Sequence, residues 1–443
     1  MKISYMALGC KVNLYESVAI TNDFLKHDFE LADFDDVCDV YIINTCTVTQ
    51  TSDSKSKKMI RQAIKRNSDA IVCVMGCFSQ LNSIETLEIE GVNIVCGTSN
   101  RKLILPTVLK MIETNDKTPV NLTQKYDEIC EYEDLSLDHY DNKTRGFVKI
   151  QDGCENFCSY CAIPYSRGRF RSRNPISVIN EIQTLSNNGM KEIVLTGINT
   201  GAYGKDLNLN FASLLEKIVL SVRNLGRIRI SSIEATEVTT ELLDVMMHYK
   251  EHFCMHLHIP IQGGSDEILK KMNRKYDISF YKEKLDLIRS YFPLINITAD
   301  IMVGFNGETN ELFDKAYKFI DSCNYGETHI FPYSPRPNTL AYIESQKIKF
   351  SDNVNDMIKK LRVNDLLTLN EVKALEYRSK FKNMFVEVIV EKVTDGVAFG
   401  HSSNYLEVKF NTDNAKENDL VFVKITKIGY PVCEGVEQNV FKI

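Results

Sequence analysis

Over the first hundred residues, short apolar, β-branched runs alternate with amphipathic stretches. Ile3 to Leu8, Val40 to Asn44, Ala70 to Met75 and Val92 to Val95 read as strands, with helical periods such as Ser54 to Arg66 between them. This alternation predicts a doubly wound parallel sheet with helices on both faces, whose ligands bind beyond the carboxyl ends of the strands. The alternation resumes at Phe147 to Ile150, followed by Glu192 to Gly197, Arg227 to Ile233, His256 to Gln262, Ile297 to Phe305 and Glu327 to Tyr333. Six such units predict a partial or complete α/β barrel with its chemistry at the C-terminal strand ends. A helical pattern from Asn355 to Ala374 closes that unit. The period then shortens to strands at Phe385 to Val390, Gly396 to Phe399, Leu406 to Phe410 and Leu420 to Ile425, a small all-β module. The expected class is α/β, with a doubly wound domain (1–125), an acidic linker (126–143), a (β/α)6 partial barrel (144–374) and a small β-barrel (375–443).

Composition changes this picture little. Of the 443 residues, 44% are hydrophobic and 25% charged, ordinary globular values. No apolar run approaches a bilayer span, and Met1 to Leu8 lacks a basic region leading into a long apolar core, so the expectation is a cytoplasmic protein with no membrane partner. The net charge of -6 argues against a simple nucleic-acid coat. Residues 126 to 142 hold seven acids and no Lys or Arg, so the rest of the chain carries -6 + 7 = +1. That stretch reads as a linker solvated by its own charge.

Thirteen cysteines in a chain with no export signal point to metal ligation or buried thiols rather than disulfides. Cys154, Cys158 and Cys161 form C-x-x-x-C-x-x-C just after the first barrel strand. Thiolates are the ligands of iron-sulfur clusters, and three of them on a four-iron cube leave one iron open. Cys158 and Cys161 alone have zinc spacing, but a structural zinc needs four ligands and no fourth lies nearby in sequence. Cys10, Cys46 and Cys77 each follow a strand of the first domain, and in a parallel sheet such ends lie side by side. Burial is the alternative for these three, and burial or chance exposure is the better reading for Cys38, Cys73, Cys130, Cys254, Cys323 and Cys433. Cys96 also ends a strand, and only geometry can separate it from the set.

The motifs together resemble the radical S-adenosylmethionine methylthiotransferases. The resemblance rests on Gly9 to Asn13, Asn44 to Thr49, Gly76-Cys77, Gly153 to Tyr165, Arg167 to Arg173, Thr196 to Asn199, His258 to Gln262 and Asp300 to Thr309. It departs from the family pattern at Asn306, where Pro is usual, and at Gly263, where Ser is usual. Lys11-Val12-Asn13 and Thr47-Val48-Thr49 resemble the branch acting on threonylcarbamoyladenosine in tRNA; sister branches act on isopentenyladenosine or on a ribosomal-protein aspartate. The resemblance implies two [4Fe-4S] clusters, on Cys154, Cys158 and Cys161 and on Cys10, Cys46 and Cys77. It also implies S-adenosylmethionine, a flavodoxin-like or ferredoxin-like electron donor, a sulfur donor, and a tail like the RNA-binding TRAM module.

Tyr160, Gly197, Asn199, Glu234 and Gln262 stand at or near strand ends or in the cluster loop, where they are candidates for holding the adenosyl and methionyl groups. Arg167, Arg169, Arg171 and Arg173 alternate after the cluster loop and are candidates for clamping tRNA phosphates or a substrate carboxylate. His256 and His258 share a strand face, but without a third ligand they read as core or rim histidines. Residues 378 to 443 hold nine basic and nine acidic residues, so an RNA-binding role there rests on resemblance rather than charge. A zinc-stabilised RNA-binding protein without catalysis remains the competing class.

Overall fold

A computed structural model describes residues 1–137, 140, 144–347 and 354–438. The first domain is an all-parallel sheet in the spatial order Glu30–Leu31, Lys2–Ala7, Val40–Thr45, Ile71–Gly76, Ile94–Val95, Val120–Asn121. Val40–Thr45 and Ile71–Gly76 are buried at every position, as expected of strands covered on both faces. The chain leaves Lys2–Ala7 to one side and returns on the other, so the winding reverses between that strand and Val40–Thr45. A reversal of this kind opens a crevice at the carboxyl ends of the two strands. Cys10 and Cys46 lie there.

In the central domain the first three barrel strands, Arg145–Lys149, Glu192–Thr196 and Arg227–Ile230, form one parallel sheet. His256–His258, Asn296–Val303 and Glu327–Pro332 form another. Parallel bridges Ile228 to Phe253 and Ser232 to His258 join the two. Among the described residues the first and last strands do not pair, which leaves a six-stranded partial barrel with an open side. Helix Asp356–Ser379, capped by the Asn355 side chain on the Met357 N–H, packs on the last strands.

The tail is a closed barrel of Phe385–Thr394, Val397–Ser402, Glu407–Asn411, Leu420–Lys427 and Val432–Glu437. The fifth strand is an addition to the four that the sequence pattern marks. Its segment 401–405 covers the amino-terminal ends of the central strands. Arg229 donates to the carbonyls of Ser402 and Ser403, and Arg227 to that of His401. Tyr405 stacks on His256 at a centroid distance of 4.9 Å.

The acidic segment is solvated only in part: Asp127, Glu128 and Glu131 are exposed, but its apolar residues pack. Ile129, Leu135, Leu137 and Tyr140 are buried, and Tyr15 and Arg173 sit against it through Leu135 and Asp134. Glu133 pairs with Arg101 at 2.8 Å. Acids spaced by apolar residues let one face pack while the carboxylates find internal arginines, a pattern that a charge count overlooks. Asp138 and Asp141 of that stretch, and the tail residues from 439 on, lie outside the described residues.

Candidate active site

The carboxyl ends of the central strands and the crevice of the first domain face one another across a single cavity of about 700 Å³. On one side it is bordered by Gly9, Cys10, Lys11 and Val12, and on the other by Cys154, Cys158 and Cys161. Tyr160, Gly197, Asn199, Glu234 and Gln262 all line it, together with Arg274, Asp300 and His329, which the sequence reading did not single out as site residues.

The three-cysteine loop is held from outside. The Ser159 N–H donates to Met272 O at 3.0 Å, the Asn273 amide to Phe157 O at 2.8 Å, and Ala341 N–H to Ser159 O at 2.8 Å. Arg274 reaches the Cys158 sulfur at 3.5 Å and the Glu234 carboxylate at 3.1 Å, so the loop and the third-strand end share one guanidinium. Burial pushes the Cys154 thiol up to about 12, and Cys158 and Cys154 add repulsion that raises Cys161 further. Binding a metal here therefore displaces protons.

The cysteines of the second set are neighbours at the strand ends. A methyl group on Gly9, whose φ is +92°, would lie 2.6 Å from Cys46 Sγ, so the bare backbone brings Cys10 and Cys46 together. Gly76, just before Cys77, has φ +104° and would collide with the Asn44 side chain and the Thr45 backbone. Cys10 and Cys46 each feel the charge of Cys77, and burial lifts Cys46 to about 11. Cys96 stands apart: it is fully buried and its thiol lies 3.1 Å from Ser99 O. Cys73, Cys254, Cys323 and Cys433 are core thiols, and Cys130 is exposed.

The arginine row requires a correction. Arg167, Arg171 and Arg173 are 0%, 4% and 0% exposed, which places them out of reach of a phosphate backbone. Arg167 bonds Glu16 at 2.8 Å, Asp152 at 3.0 Å and Asn13 at 2.7 Å, while its Nε donates to Cys77 Sγ at 3.3 Å. Arg101, Lys149 and Arg171 complete the network around Glu16 and Asp152. Against burial, these cations hold both carboxyls well below the usual carboxylate range. Arg173 pairs with Glu181 at 2.7 Å and Asp134 at 2.6 Å. Only Arg169 of the four is exposed. Alternation after the cluster loop signalled a buried ion network joining two domains rather than a surface clamp.

The histidine reading also changes. His258 has companions from the next two strands: ligand atoms of His258, Asp300 and His329 lie within 4.8 Å of one another, and His258 also bonds Thr298 at 2.9 Å. These groups are far apart in sequence, and parallel pairing alone brings them together. Arg336, likewise unmarked by any motif, reaches from the barrel to Thr47 and Asp53 of the first domain at 2.8 and 2.5 Å.

Three cysteine thiols in each set are soft donors of the kind that hold an iron-sulfur cluster with an open iron. The second set also lies beside a network of four cations, Arg101, Lys149, Arg167 and Arg171, around Glu16 and Asp152, favourable for anionic thiolates.

Fold and cysteines together define a radical S-adenosylmethionine enzyme, and the Radical SAM superfamily profile matches residues 148–320. Residues 2–97 match the family described as Uncharacterized protein family UPF0004. Over 98% of this chain and 95% of its own length, the threonylcarbamoyladenosine tRNA methylthiotransferase MtaB of Bacillus subtilis is 41% identical. The enzyme of that name from Aquifex aeolicus is 33% identical over 92% of this chain and 96% of its own. A tRNA-2-methylthio-dimethylallyladenosine synthase of Clostridium botulinum is 32% identical over 95% of this chain and 93% of its own. The chain belongs to the radical SAM tRNA methylthiotransferases, enzymes that use S-adenosylmethionine and iron-sulfur clusters. In fold it is similar to the radical S-adenosylmethionine methyltransferase TsrM of Kitasatospora setae, at TM-score 0.59 and 16% identity over 77% of each chain. No helix among the described residues is long and apolar enough to cross a membrane.

Proposed function

We propose that this chain methylthiolates threonylcarbamoyladenosine in tRNA. The observation that carries this reading is the shared cavity, with Cys10 on one wall and the Cys154 loop on the other. Such a space lets one base be activated from one side and receive sulfur from the other without leaving the enzyme. The 41% identity to the Bacillus subtilis MtaB over 98% of this chain supports the choice of base.

In this reading Cys154, Cys158 and Cys161 hold one [4Fe-4S] cluster, and Cys10, Cys46 and Cys77 hold the other. The first, when bound and reduced, supplies the electron that splits S-adenosylmethionine into methionine and a deoxyadenosyl radical, and the second supplies the sulfur site. Tyr160, Gly197, Asn199, Glu234 and Gln262 bind S-adenosylmethionine along the strand ends. Arg274 keeps the Glu234 carboxylate paired and fixed beside Cys158. The buried network of Arg167, Glu16 and Asp152 holds the two cysteine sets in register. A flavodoxin-like or ferredoxin-like donor and a separate sulfur donor complete the reaction, and the tail barrel contributes an RNA contact. In this reading the work is done in the cytoplasm.

The test is anaerobic incubation of iron-loaded enzyme with S-adenosylmethionine, dithionite, sulfide and tRNA carrying threonylcarbamoyladenosine, followed by mass analysis of the nucleosides. A methylthio increment on that nucleoside is the expected result. Deoxyadenosine without the increment would overturn the substrate, and a colourless zinc protein would overturn the class.

A further inference from the structure

Two Lys or Arg side chains border the cavity, Lys11 and Arg274. Arg274 is matched by Glu234 at 3.1 Å. Lys11 makes no hydrogen bond or ion pair among the described residues and keeps solvent contact through the cavity. Glu192, the carboxylate whose charge reaches it, is already taken by Arg227 at 2.7 Å and Arg229 at 2.6 Å. The charges of Arg229 and Arg145 oppose its own while that of Cys10 favours it, and His329 lines the same space. A lysine with no hydrogen bond or ion pair among the described residues, at the wall of the cavity, is a place for an anion brought in by the ligand.

We propose that Lys11 is a specificity residue whose ammonium receives the free carboxylate of the threonylcarbamoyl group. This deepens the substrate reading above and rests on it. Threonine joined to adenine through its amine presents a carboxylate and a hydroxyl, whereas a dimethylallyl group is hydrocarbon and offers a cation nothing. Its place next to Cys10 puts the ammonium beside the cysteine set that would deliver sulfur, so pairing with the carboxylate also orients the base towards that wall.

The test uses iron-loaded enzyme and three versions of one anticodon stem-loop RNA: bearing threonylcarbamoyladenosine, its methyl ester, or dimethylallyladenosine. Wild type should prefer the acid to the ester by about tenfold in kcat/KM, the size of one charge-assisted contact. Lys11→Met should lose that preference, mainly through KM, and Lys11→Arg should keep most of it. If wild type treats acid and ester alike, or Lys11→Met still prefers the acid, the role of Lys11 is overturned while the substrate reading stands. Should Lys11→Met load no iron, Lys11→Gln takes its place in the same comparison. If wild type modifies only the dimethylallyl RNA, both readings fall.

Discussion

Arg167 Nε lies 3.3 Å from Cys77 Sγ, and the same guanidinium holds Glu16 at 2.8 Å and Asp152 at 3.0 Å. One side chain from the short helix Ile163–Arg167, just after the Cys154 set, thus donates to a sulfur of the other set. Arg167→Ala leaves two buried carboxylates short of a partner, which costs about 3–5 kcal/mol when a buried pair is broken. It also removes a donor from a thiolate. The expected outcome is a lower Tm together with loss of iron from the Cys10, Cys46 and Cys77 site. Unchanged iron content with unchanged Tm would show that the contact is incidental.

The two cysteine sets should separate by readout. Alanine at Cys154, Cys158 or Cys161 should abolish deoxyadenosine formation, because the electron source is lost. Alanine at Cys10, Cys46 or Cys77 should leave deoxyadenosine forming without methylthio product, with about half the iron retained. Cys96→Ala should retain full iron, since that thiol faces Ser99 O within the core. Iron loss from Cys96→Ala matching that from Cys77→Ala would move the second site.

What the sequence made legible follows from how local each signal is. Strand-end cysteines, six barrel strands and a β tail all depend on short-range periodicity, and each has its counterpart in the folded chain. The arginine row misled because alternation says that side chains share a face without saying whether water or another domain covers it; here Glu16, 151 residues away, does. His329 carries no spacing that would mark it, and Lys11, although part of the Lys11-Val12-Asn13 motif, becomes a cavity residue only once two domains meet. The acidic segment failed for the opposite reason: its charge was visible, but its partners Arg101 and Arg173 were not.

Gly9 offers a steric test of the second site that leaves every ligand in place. An added Cβ would meet Cys46 Sγ at 2.6 Å, on a backbone with φ +92° that side chains rarely adopt. Gly9→Ala should therefore separate Cys46 from Cys10 and cost about 1–2 kcal/mol in backbone strain. Iron analysis should show about half the metal lost, as for a missing ligand. Full iron loading would mean that the two thiols need not approach so closely.

Glu192 provides a pH signature for the docking of the tail barrel on the central one. Burial disfavours its charge, yet Arg229, Arg227 and Arg145 hold the carboxyl down at about 2. Those same arginines reach across to the tail: Arg227 and Arg229 to its backbone carbonyls, Arg145 to Glu391 and Tyr405. Because the folded value lies below the unfolded one of about 4.3, this stability is fully present above that value. It is lost as pH falls towards about 2, since the unfolded chain then binds the proton first. The span amounts to about 3 kcal/mol. Denaturant unfolding of metal-free protein between pH 6 and 3 should show a falling midpoint, and Glu192→Gln should flatten that slope while lowering stability at pH 6. A Glu192→Gln variant with the wild-type slope would assign the acid sensitivity to Glu16 and Asp152 instead.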